Sequence, residues 1–286
     1  GGHTMSVRIV VDSASDLTKE RADEMQLDYM PLKTIFGETE YLDGVTLSHR
    51  EFYEKLIECG TIPTTSQISP HDFEEKFKEI KEAGDTAVVI CLSSLLSGTY
   101  QSAHIALDGY EDCITLVDSL NVCLGEQILI LYAVSLREQG LSATQIAEKL
   151  EAKKHDVCVL AVFDTLEYLK QGGRISKTAA WAGNILSIKP VIAIEKGEVA
   201  ILGKARGSKN GNNILIQEVK NNGGIDFTMP YMLGYSGLDD TLLQKYIKDS
   251  AELWASQTSS LPISTIGSTI GTHAGPGAIC VSFFHK

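Results

Sequence analysis

Short apolar runs alternate with amphipathic segments through the first half of the chain. Each apolar run has the length of a buried strand, and each longer segment has helical spacing. The predicted strands lie at 7–11, 87–92, 113–117 and 157–163, and the predicted helices at 17–25, 70–84, 98–107 and 122–139. Alternation of this kind favours right-handed βαβ crossovers and a parallel sheet with helices on both faces.

Capping residues mark three helix starts, of which the one at Pro70 belongs to the predicted helix 70–84. They are Ser48 with Glu51, Ser69 with Pro70, and Ser142 with Gln145. A Ser followed by Glu or Gln three residues later predicts a capping box, and Pro suits the first helical position. These pairs fix where the corresponding helices begin.

The second half of the chain has a different pattern. Lys196-Gly197 separates two strand-like runs and predicts an antiparallel hairpin. Helices are predicted at 164–171, 177–188, 208–221 and 239–256, and strands at 190–195, 198–204, 230–235, 262–266 and 278–284. We therefore predict two α/β domains, residues 5–160 with a parallel sheet and residues 161–286 with a mixed or antiparallel sheet.

Charge and hydropathy narrow the functional classes. The 286 residues include 37 acidic and 25 basic ones, for a net charge of −12. An acidic surface repels phosphate backbones, so we expect no nucleic-acid partner. The longest apolar runs, 128–134 and 158–163, have core length and predict no integral membrane segment. No secretory signal pattern is present, so we expect a cytoplasmic protein.

The six cysteines are scattered and include no C-x-x-C pair. Four of them, Cys91, Cys113, Cys158 and Cys280, lie in apolar strand-like runs. Free cysteine in such runs behaves as a small hydrophobic residue. We expect reduced core cysteines, no metal site and no cofactor.

A hydroxyl-rich turn follows the predicted strand 87–92. It contains the hydroxyl residues Ser93, Ser94, Ser97, Thr99 and Ser102, and it has no Lys, Arg, Asp or Glu. A strand-to-helix turn offers backbone N–H groups and a helix dipole to an anion. Simple helix capping would explain one or two of these hydroxyls, whereas the whole set favours a site for a carboxylate held by neutral donors.

Two more segments could face the same anion. Thr65 and Ser66 precede the capping residue Ser69 and are not needed for capping; a binding role and a local structural role are equally supported. The Gly-rich loop 271–278 contains His273. This histidine could complete the anion site, or it could be incidental to a tight turn.

Two cations follow glycine-containing breaks, Arg174 in 172–176 and Arg206 in 204–207. Each is either a solvated residue near a helix end or an arginine offered to a phosphate or a partner protein. Phosphate-loop, dinucleotide-binding and G-x-S-x-G patterns are missing from the sequence. A serine hydrolase or acyltransferase using Ser97 and His273 is the alternative function, although the spacing does not support a triad with Asp12.

Together these segments resemble the DegV family of bacterial fatty-acid-binding proteins. The resemblance extends over residues 7–286, and its carriers are Asp12–Asp16, Thr65–Gln67, Ser93–Ala103, Gly172–Ser176 and Gly271–Ala278. It implies two α/β domains that enclose one long-chain fatty acid in a tunnel between them. Some members are the non-catalytic, acyl-carrying subunit of a two-component fatty acid kinase, whose ATP-binding partner makes acyl phosphate.

The resemblance also implies roles for individual residues. Thr65 and Ser97 would bind the carboxylate, with His273 nearby and with Ser66, Gly98 and Thr99 in the same loops. Arg174 and Arg206 would face the kinase, and transient contact with a membrane is compatible with this role. Expected tunnel residues, for which ordinary core positions are the alternative, are Ile68, Ile185, Leu186, Ile192 and Ile194. The chain departs from the family pattern at Ile68, where proline is common, and at 208–212, which is less basic than usual.

Overall fold

The computed structural model describes residues 5–175, 188–257 and 260–286. Its strands are β1 Val7–Asp12, β2 Asp28–Met30, β3 Lys33–Phe36, β4 Thr39–Leu42, β5 Thr64–Ser66, β6 Thr86–Cys91, β7 Ile114–Asp118, β8 Val157–Val162, β9 Ile188–Glu195, β10 Glu198–Arg206, β11 Met232–Tyr235, β12 Ile263–Thr265 and β13 Ile279–Phe284. Its helices are α1 Lys19–Glu24, α2 His49–Cys59, α3 Pro70–Glu82, α4 Thr99–Ala106, α5 Cys123–Glu138, α6 Ala143–Lys153, α7 Glu167–Gly172, α8 Gly207–Asn221, α9 Thr241–Asp249, α10 Ala251–Trp254 and α11 Ser268–Ala274.

The first half of the chain builds a parallel sheet, as predicted. Its strand order is β2-β1-β6-β7, and all neighbouring pairs are parallel. The capping boxes at Ser48 and Ser142 are both formed, and Ser69 caps the helix that starts at Pro70. Local capping chemistry therefore sets these helix starts.

The second half builds a mixed sheet with the order β10-β9-β8-β13-β11-β12. The β9–β10 hairpin is antiparallel as predicted, and β11 and β12 are the parallel pair. Strand β8 pairs antiparallel with both β9 and β13. Residue 160 lies inside β8, and a domain division at that residue stays a prediction.

Alternate residues of β8 face two different cores. Val159 and Ala161 belong to the core shared with the parallel sheet. Leu160 and Val162 belong to a second core that includes Leu215 of α8. Because side chains alternate along a strand, one face of the mixed sheet is turned toward the first half of the chain. An apolar cavity, here named the main cavity, lies on that face.

Two predictions for the C-terminal part were wrong. The segment 271–278 was predicted as a loop, but its first four residues complete helix α11. The predicted helix 239–256 is divided into α9 and α10 at Ser250. The predicted helix 177–188 lies outside the described residues except for Ile188, which begins β9. Within the described ranges, no helix is long and apolar enough to cross a membrane.

Distant carboxylates explain helix α11, whose short glycine-containing sequence has little helical preference. Asp43 accepts hydrogen bonds from the backbone N–H groups of Ser268 (3.2 Å) and Thr269 (3.3 Å). Asp16 accepts one from the N–H of Gly267 at 2.8 Å. The first N–H groups of a helix have no partner within the helix, and these carboxyl oxygens satisfy them. The helix is therefore fixed by residues more than 220 positions earlier in the chain.

Two buried carboxyl groups lie close together, Asp12 at the end of β1 and Glu126 in the first turn of α5. Asp12 accepts hydrogen bonds from the N–H groups of Leu92 (2.8 Å) and Ala14 (3.0 Å). No N–H or O–H group of the described residues donates to the fully buried Glu126. Burial raises the pKa of Asp12 from 3.8 to about 6, although hydrogen bonds from Glu126 and the two N–H groups lower it. Burial and the nearby Asp12 raise the pKa of Glu126 well above its ordinary value.

We expect this pair to make the protein less stable as the pH rises. The folded protein keeps a proton on Asp12 that the unfolded chain loses above pH 3.8. This proton binding contributes to the free energy of unfolding at low pH, and the contribution is lost as the pH rises through about 6. For Asp12 alone this is roughly 3 kcal/mol. Urea unfolding should show that Glu126→Gln gains stability relative to wild type between pH 5 and pH 8. The exposed Glu138→Gln on the same helix is the control, and an equal gain there would contradict the prediction.

Candidate binding cavity

The main cavity has a volume of ≈ 380 Å³ and lies between the mixed sheet and the loops of the first half. Both halves of the chain contribute to its wall. Apolar lining residues include Leu32, Leu92, Val122, Val159, Ala161, Phe163, Leu169, Ile192, Ile194, Val199, Ile266, Ile270 and Ile279. Such a wall suits an elongated apolar ligand.

Polar side chains meet at one place in this wall. The small strand β5 pairs with β3 and places Thr65 beside Thr34. Thr65 Oγ1 lies 2.9 Å from Nε2 of His273, which is in the last turn of α11. Strand β5 and helix α11, which are far apart in the chain, thus bring Thr65 and His273 into one hydrogen-bonded pair.

His273 is neutral at physiological pH in this setting. Burial and the positive charge of Arg174 lower the pKa of His273 from 6.5 to about 4. Its Nδ1 is buried and has no hydrogen-bond partner among the described residues. When Nε2 bears the ring hydrogen, it donates to Thr65 Oγ1 and leaves the Thr65 O–H group available for a ligand.

The hydroxyls of the turn after β6 have different partners. Ser93 Oγ donates to the Gly197 carbonyl in the β9–β10 hairpin at 2.7 Å, and Ser102 Oγ accepts from Gln67 Nε2 at 3.1 Å. Ser94 is exposed. Ser97 lines the cavity, and its Oγ is 2.9 Å from Thr99 Oγ1. Of the predicted hydroxyl cluster, Ser97 therefore remains the one directed to the cavity within the described chain.

The two predicted cations lie in different places. Arg174 lines the cavity, donates from Nε to the Leu96 carbonyl at 3.2 Å and from Nη1 to the Gly172 carbonyl at 2.7 Å. Since Leu96 precedes Ser97, this hydrogen bond places Arg174 beside the turn that contains Ser97. Arg206 is exposed at the start of α8 and is not among the cavity residues.

Comparison with known proteins identifies the relatives of this chain. A family model described as uncharacterised proteins of the DegV family matches residues 6–286. A DegV domain-containing protein of Caldanaerobacter subterraneus subsp. tengcongensis is 36% identical over 286 residues, covering 98% of this chain and 99% of the relative. The chain belongs to the DegV family.

Solved structures of DegV relatives share this fold. A DegV family protein from Thermus thermophilus, described by its fatty acid binding, matches with a TM-score of 0.85 and 30% identity, covering 99% of this chain and 100% of that chain. A stearic acid-binding protein from Eubacterium ventriosum matches with a TM-score of 0.83 and 29% identity, covering 98% of each chain. The α/β architecture, with its parallel sheet and its mixed sheet, is thus that of the DegV family.

The structure places the remaining predicted residues of this DegV chain as follows. Ser66, Gly98, Ile192 and Ile194 line the cavity together with Thr65, Ser97 and His273. Thr99 is buried and supports the turn instead, since its Oγ1 contacts Ser97 Oγ and accepts from the N–H of Ile68 at 3.4 Å. Ile68 is buried in the first core and is not among the cavity residues. Ile185 and Leu186 lie outside the described residues.

Most of the wall was missed by sequence reasoning. Val159, Ala161 and Cys280 line the cavity from β8 and β13, which were recognised as strands. Because side chains alternate between the two faces of a strand, the sequence could have indicated which residues of β8 and β13 share one face. It could not say that this face borders a cavity, because that depends on the first half of the chain.

The geometry does not support the hydrolase alternative. His273 Nε2 contacts Thr65 rather than Ser97, and Asp12 is occupied by backbone N–H groups in the core. No Ser–His–acid chain links these residues in the described part of the structure. Nor do the described residues contain a group of three or more His, Cys, Asp or Glu able to hold a metal ion.

Proposed function

We propose that this protein binds one long-chain fatty acid in the main cavity and presents its carboxylate to a separate ATP-dependent kinase. The carboxylate lies at Thr65, Ser97 and His273, and the acyl chain follows the apolar wall. The observation that carries the proposal is one mostly apolar cavity whose wall contains the hydrogen-bonded pair of Thr65 and His273 together with Ser97. The fatty acids bound by the Thermus and Eubacterium relatives support it.

The acyl chain supplies most of the affinity. Burying about 16 carbons at roughly 0.8 kcal/mol each gives a gross ~13 kcal/mol, before the unfavourable terms of association.

Two other hydroxyls of the cavity wall are already used as donors within the protein and are not available to the carboxylate. Thr269 donates to Asp43 at 2.7 Å, and Ser236 donates to the Gly275 carbonyl at 2.6 Å. Thr65 and Ser97 can accept their hydrogen bonds from His273 and from Thr99, whose backbone N–H donates to Ser97 Oγ at 3.2 Å. Each hydroxyl hydrogen is then available to the ligand and determines its orientation.

Neutral donors suit a carboxylate that must react. Hydroxyl groups keep it ionised without a buried ammonium partner, whose desolvation would be unfavourable. The neutral His273 orients Thr65 and does not protonate the ligand, because the pKa of His273 is lowered to about 4. A bound carboxylate remains nucleophilic and accessible to a phosphoryl donor on another protein. Arg174 and Arg206, both exposed, are the proposed contacts for that partner.

The first experiment is native mass spectrometry of the purified protein, followed by solvent extraction and identification of the released lipid. A stoichiometric long-chain fatty acid is expected. A lipid-free protein that also fails to bind added palmitate or oleate would overturn the proposal.

Presentation of the fatty acid to a kinase is tested by adding ATP, hydroxylamine and a DegV-depleted bacterial extract to the loaded protein. Acyl hydroxamate is expected only when all components and this protein are present.

The head-group assignment predicts a selective effect of hydroxyl removal. Thr65→Val and Ser97→Ala should each weaken palmitate binding by about tenfold, the loss of one hydrogen bond to a charged group. Binding of methyl palmitate should change little, because its neutral ester depends less on those donors. Ser94→Ala, at the exposed hydroxyl of the same turn, is the control. Equal losses for acid and ester would place the carboxylate elsewhere.

Gly172 is expected to be essential for the position of His273. A Cβ atom on Gly172 would lie 2.2 Å from His273 Nδ1 and 2.8 Å from its Cε1. Gly172→Ala should therefore displace the imidazole from Thr65 and lower the preference for palmitate over methyl palmitate by roughly tenfold. Gly203→Ala is the matched control, since its Cβ would meet only Ile214, at 4.0 Å. An unchanged acid preference in Gly172→Ala would contradict this role.

A further inference from the structure

Two cysteines line the main cavity and take no part in the polar cluster at Thr65. Cys123 begins helix α5, and Cys280 of β13 lies beside Ala161 of β8 in register. Both are buried and belong to the first core, and both are part of the cavity wall. An apolar wall needs no thiol, because any small apolar side chain would complete it. The binding of a fatty acid therefore leaves this pair without a role.

The packing of α5 against β13 brings the two thiols together. Ser282 lies two residues after Cys280 on the same face of β13, and its Oγ donates to the Leu124 carbonyl at 3.0 Å. Because Leu124 directly follows Cys123, the first turn of α5 lies against this face of the strand. The thiol of Cys280 is accordingly a hydrogen-bonding neighbour of the thiol of Cys123. In neighbouring thiols of this kind, a two-electron oxidation ends in a disulfide.

Cys123 is better placed than Cys280 to react first. Its backbone φ is 59°, a left-handed conformation that residues other than glycine seldom adopt, and it begins a helix whose first N–H groups stabilise negative charge on sulfur. Burial and the neighbouring Cys280 raise the pKa of the Cys123 thiol well above its ordinary value, whereas Asp16 and the N–H of Leu124 lower it. The resting thiol is therefore protonated and slow toward oxidants dissolved in water. Its reaction is confined to an oxidant that the cavity holds against it.

We propose that the protein reduces a long-chain fatty acid hydroperoxide bound in the main cavity, with Cys123 as the attacking thiol and Cys280 as the resolving thiol. This inference rests on the proposed fatty-acid binding, which brings the peroxide group to the wall. The Cys123 sulfur attacks the terminal peroxide oxygen, the O–O bond breaks, and the thiol proton passes to the leaving alkoxide. A hydroxy fatty acid and a sulfenic acid result. Cys280 then attacks the sulfenic sulfur, its proton leaves with the hydroxyl group as water, and a disulfide forms. The peroxide gains the two electrons that the thiols lose.

The test is a single-turnover reaction of the reduced, delipidated full-length protein with one equivalent of a linoleic acid hydroperoxide. Hydroxy acid and a Cys123–Cys280 disulfide should form in equal amounts, as measured by mass spectrometry and peptide mapping. The rate should exceed that with tert-butyl hydroperoxide at the same concentration by about a hundredfold, because only the acyl chain brings the oxidant into the cavity. Cys280→Ser, or Cys280→Ala where serine is not tolerated, should stop at a sulfenic acid that dimedone traps on Cys123. Cys123→Ser should form no hydroxy acid, and the exposed Cys59→Ser, the matched control, should react like wild type.

Binding of palmitate and of the hydroperoxide is measured separately from the reaction. A protein that binds palmitate but forms no hydroxy acid would overturn the inference and leave fatty-acid binding intact. Equal rates for the two hydroperoxides would also overturn it, because the cavity would then play no part. So would unchanged formation of hydroxy acid in a folded Cys123→Ser protein. A wild-type protein that binds neither palmitate nor the hydroperoxide would overturn the proposed function together with this inference.

Discussion

Ala161→Phe should abolish tight fatty-acid binding while the protein remains folded. Ala161 lies on β8 with its side chain toward the cavity, between Ile192 of β9 and Cys280 of β13 in register. A benzyl group there would occupy the path of the acyl chain. Displacing about four methylenes removes roughly 3 kcal/mol, on the order of a hundredfold in affinity. Isothermal titration with palmitate and stearate measures the loss.

A matched variant distinguishes obstruction of the cavity from a general loss of structure. Ala200→Phe places the same ring on the edge strand β10, where Ala200 pairs with Ala193 but is not among the cavity residues. Its palmitate affinity should stay near wild type. Thermal unfolding of both variants should show a folded protein, because Ala161→Phe fills existing space. Wild-type affinity in a folded Ala161→Phe protein would show that the ligand does not pass through this cavity.

Asp43→Ala should produce the largest loss of stability. Asp43 is fully buried and accepts three hydrogen bonds at the start of α11, including one from Thr269 Oγ1 at 2.7 Å. Alanine would leave those donors buried and unpaired, and hydrogen bonds to a charged group are worth about 1.5–3 kcal/mol each. Because such losses are not additive, we expect a decrease of roughly 3–5 kcal/mol in the free energy of unfolding. Urea denaturation measures it.

A graded series makes this prediction specific. Asp43→Asn keeps one carbonyl oxygen as an acceptor and should lose less stability than Asp43→Ala. The exposed Asp108→Ala should change stability by less than about 0.5 kcal/mol, as surface substitutions usually do. Since α11 also positions His273, a folded Asp43→Asn protein should show a weaker preference for palmitate over its methyl ester. Equal stability of Asp43→Ala and wild type would mean that α11 does not depend on this carboxylate.

Local chemistry made much of the fold predictable. Both capping boxes and the β9–β10 hairpin depend on residues within a few positions of each other, so the sequence pattern alone indicated them. The strands β1 and β6 are mostly buried apolar runs, whereas β7 is partly half-buried. Their parallel arrangement follows from the helices between them. The short polar strand β5 has no such signal, and Thr65 was expected in a loop.

The candidate site was only partly predictable. The hydroxyl-rich turn pointed to an anion, but five hydroxyls were equivalent in the sequence. Ser93 and Ser102 differ from Ser97 because distant groups, the Gly197 carbonyl and the Gln67 amide, already occupy their hydroxyls. Arg174 was predicted on the face that would meet a kinase, which stays a prediction; the structure also places this exposed residue at the cavity, next to the Leu96 carbonyl.

Patterns in the amino-acid sequence indicated the family, the alternation of strands and helices, and the segments that contain the polar cluster. These features depend on periodicity, capping and short motifs, which act over a few residues. Tertiary structure decided which side chains meet, because the decisive contacts join residues far apart in the chain. Thr65 and His273 are separated by 208 positions, and Asp43 and Ser268 by 225. Local preference cannot specify such pairs, since they form only when the two halves pack around one cavity.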